Sequence, residues 1–297
     1  MEQTQSALTL YTLLATRPHT AALKKADVHS PLVNFDFEDV KVVNRRFKAL
    51  VREAKFDLAE VAIVTALQAK AYGKPYTLLP VVVIARGQHH TILYNAGRGH
   101  LTPADLSGRR VGVRAYTQTT GAWVRGILEE DYGVDFRRVR WVTFEDPHLA
   151  EYRDPSWVKR APADKELLQM LLDGQVDAAI FGSEMPDSKY LKALIPDVEA
   201  AARNWADRHG GVPINHMLVI KDAIVKSRPD VVREVFRLFR ESAEAAPIGT
   251  DLSALRFGVE PNRRSLETIL DYSARQELIP RRYQVDELFD DVTRSLR

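Results

Sequence analysis

A handful of short segments carry the side chains that chemistry needs. Thr16-Arg17-Pro18 follows the apolar run Leu8–Leu14, where an open sheet presents its carboxyl edge, and Arg17 has the planar fork that clamps a carboxylate. Arg86-Gly-Gln-His-His90 leaves a second apolar run, Leu78–Ala85; a guanidinium beside imidazoles suits anchoring a dianion and moving a proton near neutral pH. Neighbours in an extended chain face opposite ways, so at most one of His89 and His90 meets a ligand. Tyr116-Thr-Gln-Thr-Thr-Gly121 opens a helix carrying Trp123, Val124, Ile127 and Leu128. Its first N–H groups, with the Thr119 and Thr120 hydroxyls, make a site for a carboxylate or phosphate, and Arg125 leans back towards the same point. Pro213-Ile-Asn215-His216 adds an amide and an imidazole, and Glu60 of Phe56-Asp-Leu-Ala-Glu60 is placed to orient a histidine or receive a phenolic hydrogen bond. Each segment has a plainer reading as a helix cap, a surface arginine or a core histidine. Their agreement on one small anion favours the functional one.

The elements that must position these groups follow from apolar periodicity. Phe47, Leu50, Val51 and Ala54 share one helical face, and Ile63–Tyr72 is a helix stopped by Gly73 and Pro75. From Val111 the pattern alternates: strand to Val113, helix Thr120–Tyr132, strand Val139–Thr143, helix Asp164–Leu172, strand Ala178–Phe181. Such alternation predicts βαβ crossovers and a mostly parallel sheet. Asn215–Ile220 reads as a returning strand, Pro229 opens a strongly periodic helix, and helices follow over Arg263–Gln276 and Asp286–Leu296. The expectation is an α/β chain of two lobes joined by two hinge crossovers. Residues 1–90 and 217–297 form a discontinuous lobe one, 91–216 an inserted lobe two, and the ligand cleft lies between them.

Composition narrows the function classes. With 45% hydrophobic and 28% charged residues the 297-residue chain has ample core for two lobes and lies far from disorder. Its formal charge of +2 supplies no field to draw it to nucleic acid or anionic lipid, so neither is expected as a partner. The absence of cysteine removes disulfides, thiolate metal sites and cysteine nucleophiles. Gly97-Arg-Gly99 lacks the third glycine of a dinucleotide fingerprint, and there is neither a phosphate-loop lysine motif nor a His-Glu-x-x-His helix. No cofactor is expected, and a metal only if His90, His216 and Glu60 converge. The polar start of the chain carries no basic leader, which reads as cytoplasmic. Oligomeric state stays open.

Leu101–Val113 resembles the second-lobe opening of type 2 periplasmic-binding-protein folds. A longer series, in order and at compatible spacing, resembles the 4,5-dihydroxyphthalate decarboxylase family: Thr16-Arg-Pro18, Phe56–Glu60, His90–Tyr94, Trp123-Val-Arg-Gly-Ile-Leu128, Arg140-Trp-Val142, Pro213–His216 and Phe257–Arg263. Leu278–Arg282 and Val285–Phe289 fit as well. The sequence departs from that pattern at Tyr11–Ala15, where an acidic, glycine-containing run is expected, and at Gly87-Gln-His89. Both departures bear on the ring substituents of the substrate.

The resemblance implies a cofactor-independent carboxy-lyase acting on a hydroxylated aromatic dicarboxylic acid. Decarboxylation leaves an electron pair on a ring carbon, so protonating that carbon first, with a ring hydroxyl ortho or para to it, creates a ketone-like electron sink. On this reading Arg17, Arg86, Asn215 and the Thr119/Thr120/Arg125 pocket hold the small aromatic carboxylate, His90 or His216 donates the proton, and Glu60 orients the histidine. The alternative is a non-catalytic binding protein that delivers a small organic anion to a transporter, with the same cations and no proton donor.

Overall fold

The computed structural model describes residues 6–297, which divide into two compact units. The first comprises the described part of Met1–Ala85 with Ile214–Leu270 and Tyr283–Arg297; the second comprises Arg86–Pro213 and Asp271–Arg282. The chain thus passes out of the first unit after Ala85 and back at Ile214. The segment Asp271–Arg282 belongs to the second unit, where the sequence reading had placed it with lobe one.

In the first unit β1 (Leu8–Leu13), the one-turn α1 (Ala21–Lys24), β2 (Val33–Phe37), α2 (Phe47–Glu53), β3 (Leu58–Ala62), α3 (Ile63–Ala71) and β4 (Tyr76–Ala85) succeed one another. The second unit contributes β5 (Ile92–Asn95), β6 (Arg110–Val113), α4 (Thr119–Tyr132), β7 (Arg140–Thr143), β8 (Val158–Arg160), α5 (Leu167–Leu172), β9 (Ala178–Ile180), β10 (Leu191–Ala193) and α6 (Val198–His209). Then β11 (Ile214–Lys221), α7 (Asp222–Ser227), α8 (Pro229–Glu244), α9 (Arg263–Arg275) and α10 (Asp291–Arg294) complete the chain.

The first sheet has the order β2-β1-β3-β11-β4. β1 runs parallel to β2 and β3, while β11 is antiparallel to both its neighbours, pairing His216 with Ala62 and Leu218 with Glu60. The carboxyl ends of β1, β3 and β4 and the amino end of β11 therefore share one edge. β4 tolerates Pro80 because it is an edge strand, where a missing N–H breaks no internal ladder. Its outer side is covered by the Phe257–Asn262 stretch, with Gly258 N–H donating to the Pro80 carbonyl at 2.8 Å. Leu10, Leu58, Leu218 and Ile220 meet Val231, Val232, Val235 and Phe236 of α8 in the core, as the periodicity of that helix requires.

The second sheet has the order β10-β5-β9-β6-β7-β8, parallel through β9, β6, β7 and β8 and antiparallel at β5 and β10. Here Gly126 matters. A Cβ there would stand 2.1 Å from the Tyr272 ring, so only glycine lets Asp271–Arg282 close on α4. Trp123 packs edge-on against both Trp205 and Tyr272, at 5.7 Å each. The Trp-Val-Arg-Gly pattern at 123–126 is thus a packing code for this contact. Among the described residues no helix is long and apolar enough to cross a membrane.

Candidate functional site

At the shared strand edge of the first unit three of the expected residues meet. Arg17 donates from Nη1 to Glu60 Oε2 and from Nη2 to Glu60 Oε1, each at 2.7 Å. His216 Nδ1 lies 2.6 Å from Glu60 Oε1, and the Ala15 N–H donates to Oε2 at 3.1 Å. Glu60 is fully buried. Burial pushes its carboxyl up, but the His216 hydrogen bond and the Arg17 charge outweigh burial and hold it at about 2. A carboxylate can only accept, so His216 carries a proton on Nδ1 and its chemistry falls to Nε2. Phe47 meets the imidazole edge-on at 5.6 Å and helps fix its plane.

This geometry alters one expectation. The Arg17 fork does grip a carboxylate, but it is the protein's own. Arg17 thereby orients and charges Glu60, and both its Nη groups are engaged there.

Sequence reasoning passed over His19, two residues beyond Arg17. Burial, reinforced by the Arg17 charge, lowers its pKa, and its buried Nε2 has no hydrogen-bond partner among the described residues. The signal was present in Thr16-Arg-Pro-His19, an imidazole following the arginine at the end of the first strand.

The second unit gathers the other candidates around the amino terminus of α4. Its N-cap residue, Gln118, makes no side-chain capping bond, and the positive end of the helix dipole lies at this first turn. Thr119 and Thr120 are nearly buried in that first turn. Arg86 donates from Nη2 to the Gly182 carbonyl at 3.2 Å, and a Cβ on Gly182 would stand 3.1 Å from Gln118 Nε2. That places the Arg86 guanidinium at the carboxyl end of β9, beside the start of α4. No ion pair engages it among the described residues, and burial lowers its pKa as expected for a cation without a counter-charge. His90 is half-buried, and burial together with the Arg86 charge lowers its pKa. His89 is buried, and burial takes it down to about 4.

Arg125 is placed differently from expectation. It is fully buried, donating from Nη2 to the Tyr116 carbonyl at 2.6 Å and from Nε to Gln276 Oε1 at 2.7 Å. Its guanidinium lies over the Tyr116 ring at 4.0 Å, and its Nη1, beside Gly121, has no hydrogen-bond partner among the described residues. Helical lean does carry it back towards the amino terminus of α4, yet beneath the surface, as a tie to Gln276. Asn215 is buried on β11. Among the described residues no group of three His, Asp or Glu side chains is arranged to hold a metal ion.

An aligned 210 residues are 31% identical to "4,5-dihydroxyphthalate decarboxylase" of Comamonas testosteroni, covering 66% of this chain and 63% of the relative. The chain resembles these decarboxylases. The same-named protein of Pseudomonas putida is 32% identical over 169 residues, 52% of this chain and 64% of that one. In both cases the match spans less than two thirds of the relative's length. No family model matches the sequence. Among solved structures, the periplasmic aliphatic sulphonate-binding protein SsuA of Escherichia coli superposes with a TM-score of 0.60 at 13% identity, covering 96% of this chain and 93% of that one. The SsuA protein of Xanthomonas axonopodis, bound to MOPS, gives 0.52 at 14% identity, with 96% and 99% covered. These likenesses establish the periplasmic-binding-protein fold.

Proposed function

We propose that the protein is a carboxy-lyase for a hydroxylated aromatic dicarboxylic acid of the phthalate type, working by protonation of a ring carbon without a redox cofactor. The observation that carries the reading is the His216–Glu60–Arg17 relay: a buried carboxylate, charged under all physiological conditions, that fixes one nitrogen of a partly exposed imidazole. Anchoring an anion does not require a buried acid that fixes an imidazole. The similarity to two 4,5-dihydroxyphthalate decarboxylases supports the substrate class.

In this mechanism Arg86 and the first turn of α4, with Thr119 and Thr120, hold the carboxylates of the substrate by charge-assisted hydrogen bonds. His216 Nε2–H gives its proton to the ring carbon that bears the departing carboxylate, para to a hydroxyl. The hydroxyl passes its own proton to water and becomes a ketone. The carbon–carboxylate bond then breaks and carbon dioxide leaves, the electron pair of that bond restores the aromatic ring, the oxygen takes a proton back from water, and His216 Nε2 is reprotonated from solvent for the next turnover. Glu60 stabilises the imidazolium before transfer and keeps Nδ1 protonated after it, while Arg17 holds Glu60 charged. His216 is preferred over His90 as donor because it alone of the two is hydrogen-bonded to a carboxylate.

A second reading rests on the fold shared with sulphonate-binding proteins: the cations of the second unit would bind an organic anion and leave it unchanged. Incubating pure protein with 4,5-dihydroxyphthalate and following carbon dioxide separates the two. Release of carbon dioxide supports the lyase; tight binding of intact ligand supports the alternative.

A further inference from the structure

The sheet of the second unit has a second functional-looking edge. Thr119 and Arg86 lie towards the carboxyl ends of β6 and β9, whereas a cavity of about 270 Å³ opens at their amino ends, where Arg109 precedes β6 and Asp177 precedes β9. We propose that this cavity is a binding site for a small carboxylate with a flat apolar body, distinct from the decarboxylase centre and independent of that reading.

Its walls divide by chemistry. Leu101, Leu171 and Val176 are buried and give an apolar floor. Arg98 and Arg109 line it as cations. Arg98 uses Nε on the Leu172 carbonyl at 3.0 Å, which fixes the side chain over Gly174 and leaves the Nη groups of the fork for a ligand. Gly174, at a φ of +71°, makes room: a Cβ there would stand 2.8 Å from Arg98 Nη1. Arg109 reaches Asp177 Oδ1 only at 3.7 Å, a loose pair that an incoming carboxylate can displace.

Tyr94 and His100 complete the wall. The Tyr94 hydroxyl lies 3.3 Å from His100 Nδ1. When it donates there, the imidazole keeps its proton on Nε2 and presents a further donor. Two guanidinium groups against one carboxylate leave a net positive site, and the floor of Leu101, Leu171 and Val176 beneath a mostly polar wall favours an anion with an aromatic or aliphatic body over inorganic ions.

Benzoate is the probe, with acetate as the ringless control, and peptide-resolved hydrogen–deuterium exchange of the full chain is the readout. Benzoate is expected to slow exchange in residues 94–101 and 171–177, with acetate weaker. Arg98→Ala/Arg109→Ala is expected to weaken this protection roughly tenfold or more in Kd while any effect at residues 116–121 persists. Wild-type protein without protection in 94–101 and 171–177, or protection that survives the double substitution unchanged, overturns the proposal. Should loss of the Arg98–Leu172 bond disturb folding, Asp177→Asn decides. Removing the competing carboxylate must tighten benzoate binding at these peptides, and unchanged or weaker binding contradicts the site.

Discussion

The two units treat their arginines in opposite ways. In the first, Arg17 is neutralised by the buried Glu60, and the surplus capacity of that carboxylate falls on His216. In the second, Arg86 is tied only to the Gly182 carbonyl, and Arg125 to the Tyr116 carbonyl and Gln276. Neither has a carboxylate within ion-pair distance among the described residues. A guanidinium given a carboxylate becomes part of a relay, while one given only carbonyls keeps its charge for a ligand or endures it as a structural cost. Under the proposed function, this contrast gives proton handling to residues of the first unit and anion binding to residues of the second.

The sharpest way to break that division is to exchange the histidines. His216→Ala should lower kcat for carbon dioxide release by about 10²–10⁴-fold, with a smaller loss of thermal stability than Glu60→Gln because Arg17 still pairs with the buried carboxylate. His90→Ala should act mainly on KM. The reverse pattern would move the proton donor to the second unit.

Removing the charge of Glu60 comes next. Glu60→Gln leaves Arg17 and His216 without their counter-charge, and denaturant unfolding should show a loss of about 3–5 kcal/mol at neutral pH. The sign with pH is fixed. A carboxyl held at about 2 when folded, against an ordinary 4.5, contributes its full stability above about 4.5 and loses it as pH falls through about 2. Wild type and Glu60→Gln should therefore converge in stability on acidification. A gap that stays constant down to pH ~2 would show that Glu60 is not the titrating group.

Arg86→Ala tests the binding half. Loss of a charge-assisted contact should raise KM roughly 10–100-fold and leave kcat within a few-fold. The smallest effect on catalysis belongs to Arg125→Met, which keeps the apolar stem against Tyr116. It should cost about 1–3 kcal/mol of stability through the lost Tyr116 and Gln276 bonds and leave KM nearly unchanged. A large rise in KM would restore Arg125 as a ligand contact.

Much of the scaffold was legible in the sequence because its periodicity is strong. β1, β3, β4 and β11 lie within a residue or two of the apolar runs that announce them, and Pro229 opens α8 as its first helical residue. α6 escaped notice because Trp205 is its one buried side chain, too little for an apolar stripe. β8 and β10 are three residues each, below the length at which alternation registers. The closing helix expected over Asp286–Leu296 is broken by Asp290, which caps α10 through the Thr293 N–H; the Asp-x-x-Thr spacing was readable. The candidate residues were legible by type and their partners were not. Arg17 and Glu60 are 43 positions apart and Glu60 and His216 are 156 apart, so only the strand order reveals that they touch. Gln276 was out of reach for the same reason, since it belongs with α4 only once Gly126 admits Tyr272.

The central claim is that His216, held by Glu60, protonates a ring carbon. Turnover of 4,5-dihydroxyphthalate in deuterated water, with the product read by mass and proton resonance, tests it most directly. The account predicts carbon dioxide release with one solvent deuteron at the vacated ring carbon, and a His216→Ala rate at least about a hundredfold lower. Intact ligand after incubation, or equal rates in wild type and His216→Ala, would contradict it.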